Sequence, residues 1–161
     1  MKKVLFSLFA VMMVFASCGG PPDPVKFNDA LSKANTEITN VSTEYQDAIA
    51  KLIEDTNFSA ITAQTDSALA KINKEIDIVK ALEAPKGGDA FKEAAIKTYE
   101  GLRSVVETGK KFSSLTAEST DVDLENITNE YDAKIDEYSK LFDALVNAQA
   151  EYAKEAGYDV R

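Results

Sequence analysis

From Phe27 to Leu52 the apolar residues recur at alternating steps of four and three, through Leu31, Ala34, Ile38, Val41, Tyr45 and Ala48. This spacing draws one stripe down one face of an α-helix, whereas strand side chains alternate with a period of two. Asp23-Pro24 supplies the start, with a carboxylate at the N-cap and Pro at the first helical position, where its missing N–H costs nothing. The break at Asp55-Thr56-Asn57-Phe58-Ser59 is followed by a second seam, Ile61, Thr65, Ala68 or Leu69, Ile72, Ile76, Val79 and Leu82. Ala84-Pro85-Lys86-Gly87-Gly88 cannot continue a helix. Asp89 is expected to cap a third segment carrying Phe91, Ala95, Thr98, Leu102, Val105, Gly109 and Phe112. Gly109 costs roughly 1 kcal/mol relative to Ala inside a helix and marks either a close helix contact or early fraying. Residues 113–123 are rich in Ser, Thr and Asp. Beyond them Leu124, Ile127, Tyr131, Ile135, Tyr138, Phe142, Leu145, Ala148 and Tyr152 form a fourth seam, and Gly157 suits its C-terminal cap. Four long amphipathic segments with short connections imply an all-α domain over 24–157, an antiparallel up-down-up-down four-helix bundle, with 158–161 as a tail.

The N-terminus is an address. Lys2-Lys3 precede the apolar run Val4 to Phe15, interrupted only by Ser7, and Ala16-Ser17 follow, so residues 1–17 read as a cleaved secretory signal peptide. The run of about twelve residues is short of the roughly 20 that a spanning helix needs. Phe15-Ala16-Ser17-Cys18 resembles a bacterial lipobox, with Phe15 where the motif usually has Leu, Val or Ile. The resemblance implies cleavage before Cys18, lipidation of its sulfur and residues 18–23 as a short linker to the membrane. The plainer alternative is an ordinary export signal that leaves an unpaired thiol. Five linker residues reach at most about 17 Å, whereas a 30-residue helix is about 45 Å long, so the bundle is expected to stand close to the membrane.

The chain contains no His and a single Cys. That excludes Ser-His-Asp and Cys-His nucleophile activation, His-ligated zinc, His-ligated haem and the Glu-x-x-His di-iron bundle. A P-loop, a dinucleotide fingerprint and a nucleophile elbow are also missing, and the carboxylates fall mostly on outward helix faces. An enzyme is therefore not expected, and neither is a cofactor. Loss of Lys2 and Lys3 takes the formal charge from −9 to −11, which disfavours nucleic acid as a partner. Asp121, Asp123 and Glu125 have a passing likeness to a calcium loop, but Asn126 stands where Gly is needed and Asp132 where a bidentate Glu is needed. Helix capping explains these acids better, so no metal is expected.

Three sets of residues remain as candidates. In an up-down bundle tethered at Cys18, the loops farthest from the membrane carry Asp55, Asn57 and Phe58, and opposite them Glu118, Asp121 and Asp123; this is the expected contact surface for an envelope protein partner. Tyr45, Tyr131, Tyr138 and Tyr152 fall on seam positions, and their hydroxyls either line a small-ligand pocket between helices or sit in the core with their tips at the edge. Asp66-Ser67-Ala68 resembles the O-glycosylation sequon of Bacteroidetes, which would place a glycan on Ser67.

The mature chain as a whole resembles a group of surface or periplasmic lipoproteins of Bacteroidetes and spirochaetes. The likeness rests on Cys18-Gly19-Gly20, on Val25-Lys26-Phe27-Asn28-Asp29, on the turn from Ala84 through Gly88 to Lys92, and on Gln149-Ala150-Glu151-Tyr152-Ala153. It implies an envelope lipoprotein with a helical-bundle body, and Gly19 after the Cys resembles outer-membrane sorting. No activity or catalytic residue comes with it. The expectation is a noncatalytic, lipid-anchored bundle of the outer membrane that binds an envelope protein or supports the envelope structurally. Small-ligand binding is the alternative.

Overall fold

The computed structural model describes residues 21–157. The leader 1–17, Cys18 and the tail 158–161 lie outside the described residues. Four α-helices make up the domain: α1 Pro24–Glu54, α2 Ile61–Ala81, α3 Asp89–Gly109 and α4 Asp121–Ala156. Short 3-10 turns, Phe58–Ala60 and Lys110–Ser114, sit before α2 and after α3, and no strand occurs among the described residues.

The helix ends follow from local chemistry. Asp23 Oδ1 accepts from the Val25 and Lys26 backbone N–H groups at 2.9 and 3.3 Å, which satisfies donors that have no intrahelical partner. Asp89 does not cap α3. The cap position is Gly88, without a side-chain bond, and Asp89 is the first helical residue, where the helix dipole still favours its charge. Lys92 Nζ donates to the Lys80 and Leu82 carbonyls at 2.9 and 2.6 Å, so α3 caps the C-terminus of α2. Thr120 and Asp123 form a reciprocal capping box on α4, and Gly157 ends that helix in the left-handed region at φ 77°.

The first three seams are buried over most of their length: Phe27 to Tyr45 in α1, after which Ile49 is buried while Ala48 and Leu52 are half-buried; Ile61 to Val79 in α2, with Ala68 inside and Leu69 and Leu82 half-buried; and Phe91 to Phe112 from α3 into the turn after it. Ile49, Tyr99 and Val106 widen the stripe, because a core helix buries a face broader than a two-per-heptad seam. α4 departs from this pattern. Tyr131, Leu145 and Tyr152 are buried, but Leu124 and Phe142 are each 36% exposed.

Packing explains the difference. The α3 and α4 backbones run closest in the domain, while those of α1 and α4 stay apart along almost their whole length. Small residues permit the close pair: a Cβ on Gly101 would lie 2.6 Å from Leu141 Cδ1, and the Thr98 hydroxyl reaches the Leu141 carbonyl at 3.0 Å. α1 meets α4 through long side chains. Near one end Gln149 Nε2 donates to Asn28 Oδ1 at 3.3 Å and to Ser32 Oγ at 3.4 Å, and the Tyr152 hydroxyl donates to the Pro24 carbonyl at 3.3 Å. Phe27, Phe91 and Tyr152 cluster there with centroids 5.5 to 6.1 Å apart.

Gly109 proves to be a close contact. A Cβ there would overlap the Tyr45 hydroxyl and stand 3.1 Å from the Tyr131 ring. Gly109→Ala is expected to lower the free energy of unfolding by about 1–3 kcal/mol through overpacking, despite about 1 kcal/mol of improved helix propensity. Gly101→Ala, which meets only the flexible tip of Leu141, should cost less. Urea unfolding of both variants is the check, and a higher midpoint for Gly109→Ala would refute the close contact.

Candidate functional site

Of the loop residues singled out by sequence, Phe58 and Asp121 line one concavity at an end of the bundle, where the two 3-10 turns pack against each other. Phe58 from the first loop, Leu115 from the second and Leu124 from α4 line a concavity of about 380 Å³, with Thr56, Thr120 and Asp121 at its sides. Leu115 is buried, Phe58 half-buried, and Val122 on the adjoining turn is 62% exposed. Thr56 holds a left-handed backbone at φ 52°. For a β-branched residue this is a genuine outlier, and such strain concentrates at binding sites.

The remaining predicted contact residues have diverse local roles. Asp55 pairs with Lys51 at 3.2 Å, and the Asn57 side chain accepts from the Ser59 hydroxyl at 3.2 Å. Asp123 is committed to the capping box, and its bonds with Thr120 hold its carboxyl below the usual range. Glu118, Asp121 and Glu125 make no ion pair among the described residues. Asp121, Asp123 and Glu125 occupy the first turns of a regular helix, and no group of three His, Cys, Asp or Glu converges among the described residues.

The four seam tyrosines do not gather in one pocket. Tyr131 and Tyr152 are 21 residues apart on one helix, about 31 Å by helical rise. Tyr152 belongs to the aromatic cluster at one end, whereas Tyr131 packs edge-on against Phe112 at 5.6 Å near the other. Tyr45 and Tyr131 do come together, on either side of Gly109. The Tyr45 hydroxyl donates to the Val106 carbonyl at 3.1 Å and meets Thr65 Oγ1 at 3.1 Å. The Tyr131 hydroxyl is, among the described residues, the one buried side-chain polar atom without a hydrogen-bond partner. Tyr138 lines an open groove between α1 and α4, and Tyr45 a much smaller opening between α1 and α2. Tyr99, which the seam reading omits because it flanks Thr98, is fully buried and bonded to Asn35.

Ser67 is exposed on α2, so a glycan could reach it, while Asp66 of the same triplet is paired with Lys110 at 2.9 Å. No helix among the described residues is long and apolar enough to cross a membrane. The chain matches no protein-family model, no curated protein and no solved structure.

The buried tyrosines yield two measurable consequences. Tyr45→Phe should destabilise the domain by about 1–3 kcal/mol, since it strips a partner from buried polar atoms; Tyr131→Phe should leave stability unchanged or raise it. Paired denaturant titrations test this, and a comparable loss in both variants would count against it. Burial also raises the pKa of Tyr45, Tyr99, Tyr131 and Tyr138 above the ordinary tyrosine value. A raised folded-state pKa means that the folded form binds more protons, so their contribution is complete below about pH 10 and is lost as pH climbs beyond it. Alkaline unfolding should accompany tyrosinate formation, and normal titration of these groups in the folded protein would contradict it.

Proposed function

We propose that the protein is a noncatalytic, lipid-anchored cell-envelope protein of the Bacteroidetes and spirochaete lipoprotein type, held in the outer membrane by Cys18 and presenting its loop end to a protein partner. The observation that carries this reading is the concavity shared by Phe58, Leu115 and Leu124. Residues from three separate stretches of chain place apolar side chains around one opening, beside a strained Thr56 and exposed Val122. That combination of an apolar centre and a polar edge suits a protein contact.

The orientation follows from the tether. Contacts of Tyr152 with Pro24 and of Gln149 with Asn28 support an antiparallel up-down-up-down course, with the start of α1 and the end of α4 at the anchored end. The concavity then faces away from the lipid. The linker 18–23 is too short to let the domain range widely, which suits a fixed post more than a roaming carrier. A lipid anchor on Cys18 also gives the chain's single Cys a role that needs no disulfide.

Two experiments test the reading. Cys18→Ala should release the protein from membranes and abolish incorporation of a labelled fatty acid; equal retention would overturn the anchor. A photo-crosslinker replacing Phe58 or Leu124 should capture a discrete envelope protein in living cells, whereas one at Ile78, on the exposed side of α2, should not. Identical capture patterns from all three positions would remove the loop end as the contact surface.

A further inference from the structure

The groove between α1 and α4 encloses about 300 Å³ and is lined by Thr39, Ser42 and Thr43 from one helix and by Tyr138, Phe142 and Asp143 among others from the second. The single charge in its lining is the Asp143 carboxylate, and Tyr138 and Ser139 add hydroxyls that can donate or accept. The Thr39 hydroxyl donates to the Asn35 carbonyl at 2.9 Å and the Thr43 hydroxyl to the Thr39 carbonyl at 3.1 Å, so both leave oxygen lone pairs for other partners. Ser42 Oγ already accepts from Gln46 Nε2 at 3.1 Å. Asp143 is exposed and forms no ion pair among the described residues, and no Lys or Arg lines the groove. The Tyr138 and Phe142 rings stand 6.3 Å apart at 58°, with Phe142 36% exposed.

Carboxylate, hydroxyl oxygens and ring faces all attract the same kind of ligand, a positively charged N–H donor. The geometry points to a primary-amine ligand of the alkylamine or diamine class, its ammonium on Asp143 and the threonine oxygens and its alkyl stem along Tyr138 and Phe142. An anion would face the Asp143 carboxylate with no Lys or Arg in the lining to offset it, and a quaternary ammonium could use the rings but not the lone pairs. A neutral polyol gains nothing from the carboxylate charge. The chain's net charge of −9 adds a field that draws such a cation in. The groove lies along the shaft of the bundle and is separate from the concavity at the loop end, so this inference does not depend on the lipid anchor or on the protein partner.

Isothermal titration calorimetry of the full-length protein with putrescine tests it, with the uncharged butanediol of the same chain length as the control. Saturable binding to one site is expected for the diamine and none for the diol. Phe142→Ala and Asp143→Asn should each weaken binding by about tenfold or more, and Asp143→Asn should do so with the thermal midpoint unchanged, because its side chain is exposed and unpaired among the described residues. Three results would overturn the assignment: no saturable binding of putrescine, equal binding of the diol, or putrescine binding that both variants leave intact. The last would mean attraction to the acidic surface in general.

Discussion

The Tyr45 hydroxyl, carried by α1, reaches Thr65 of α2 and the Val106 carbonyl of α3, all three residues being buried. A buried polar group left unpaired costs about 1–3 kcal/mol, so these bonds restrict how the three helices can slide past one another. Gly109 lets the arrangement close, since the Tyr45 hydroxyl and the Tyr131 ring fill the space that a larger residue would take. All four helices are thus coupled at one level of the bundle. Phe112 and Tyr131 pack edge-on beside it and join α4 to the turn that leads toward the loop end.

From that level, α4 has two very different neighbours. Against α3 it is close, through Gly101 and Thr98. Facing α4, α1 presents Asn28, Ser32, Thr39 and Ser42, part of a polar stripe with Asn35, which bonds Tyr99 of α3, and Gln46, which bonds Ser42; the stripe also alternates steps of four and three. Apolar seams close because burying their surface is favourable, at about 25 cal/mol per Å². A polar seam has no such drive, and it stays apart wherever a long side chain such as Gln149 does not bridge it. The groove beside Tyr138 and Phe142 is the outcome, and it explains why the fourth apolar seam is only partly buried.

The loop end owes its shape to a different constraint. Residues 113–123 have no apolar period, yet Leu115 is buried within the stretch and turns the chain back so that α4 starts beside Phe58. The Thr120–Asp123 capping box then fixes where that helix begins. The concavity lies between these rigid starts and stops, which gives the proposed contact surface a defined form even though it is assembled from loops.

The sequence by itself determined the helices: their number, the Asp23, Pro24 and Gly157 signals, and the inward faces of α1 to α3. Those properties depend on residues within a turn or two of each other, and heptad spacing encodes them directly. The importance of Gly109 was legible as an alternative, but not its resolution, because only the approach of Tyr45 and Tyr131 distinguishes contact from fraying. Only the tertiary structure decided that the seam tyrosines disperse, that Tyr99 is more enclosed than Tyr45, Tyr131 or Tyr152, and that Asp89 leaves the cap to Gly88. It also decided that α4 leans toward α3 and away from α1. That lean is a competition between two faces of one helix, settled by small residues on one neighbour and polar residues on another, and no single helix's spacing contains it.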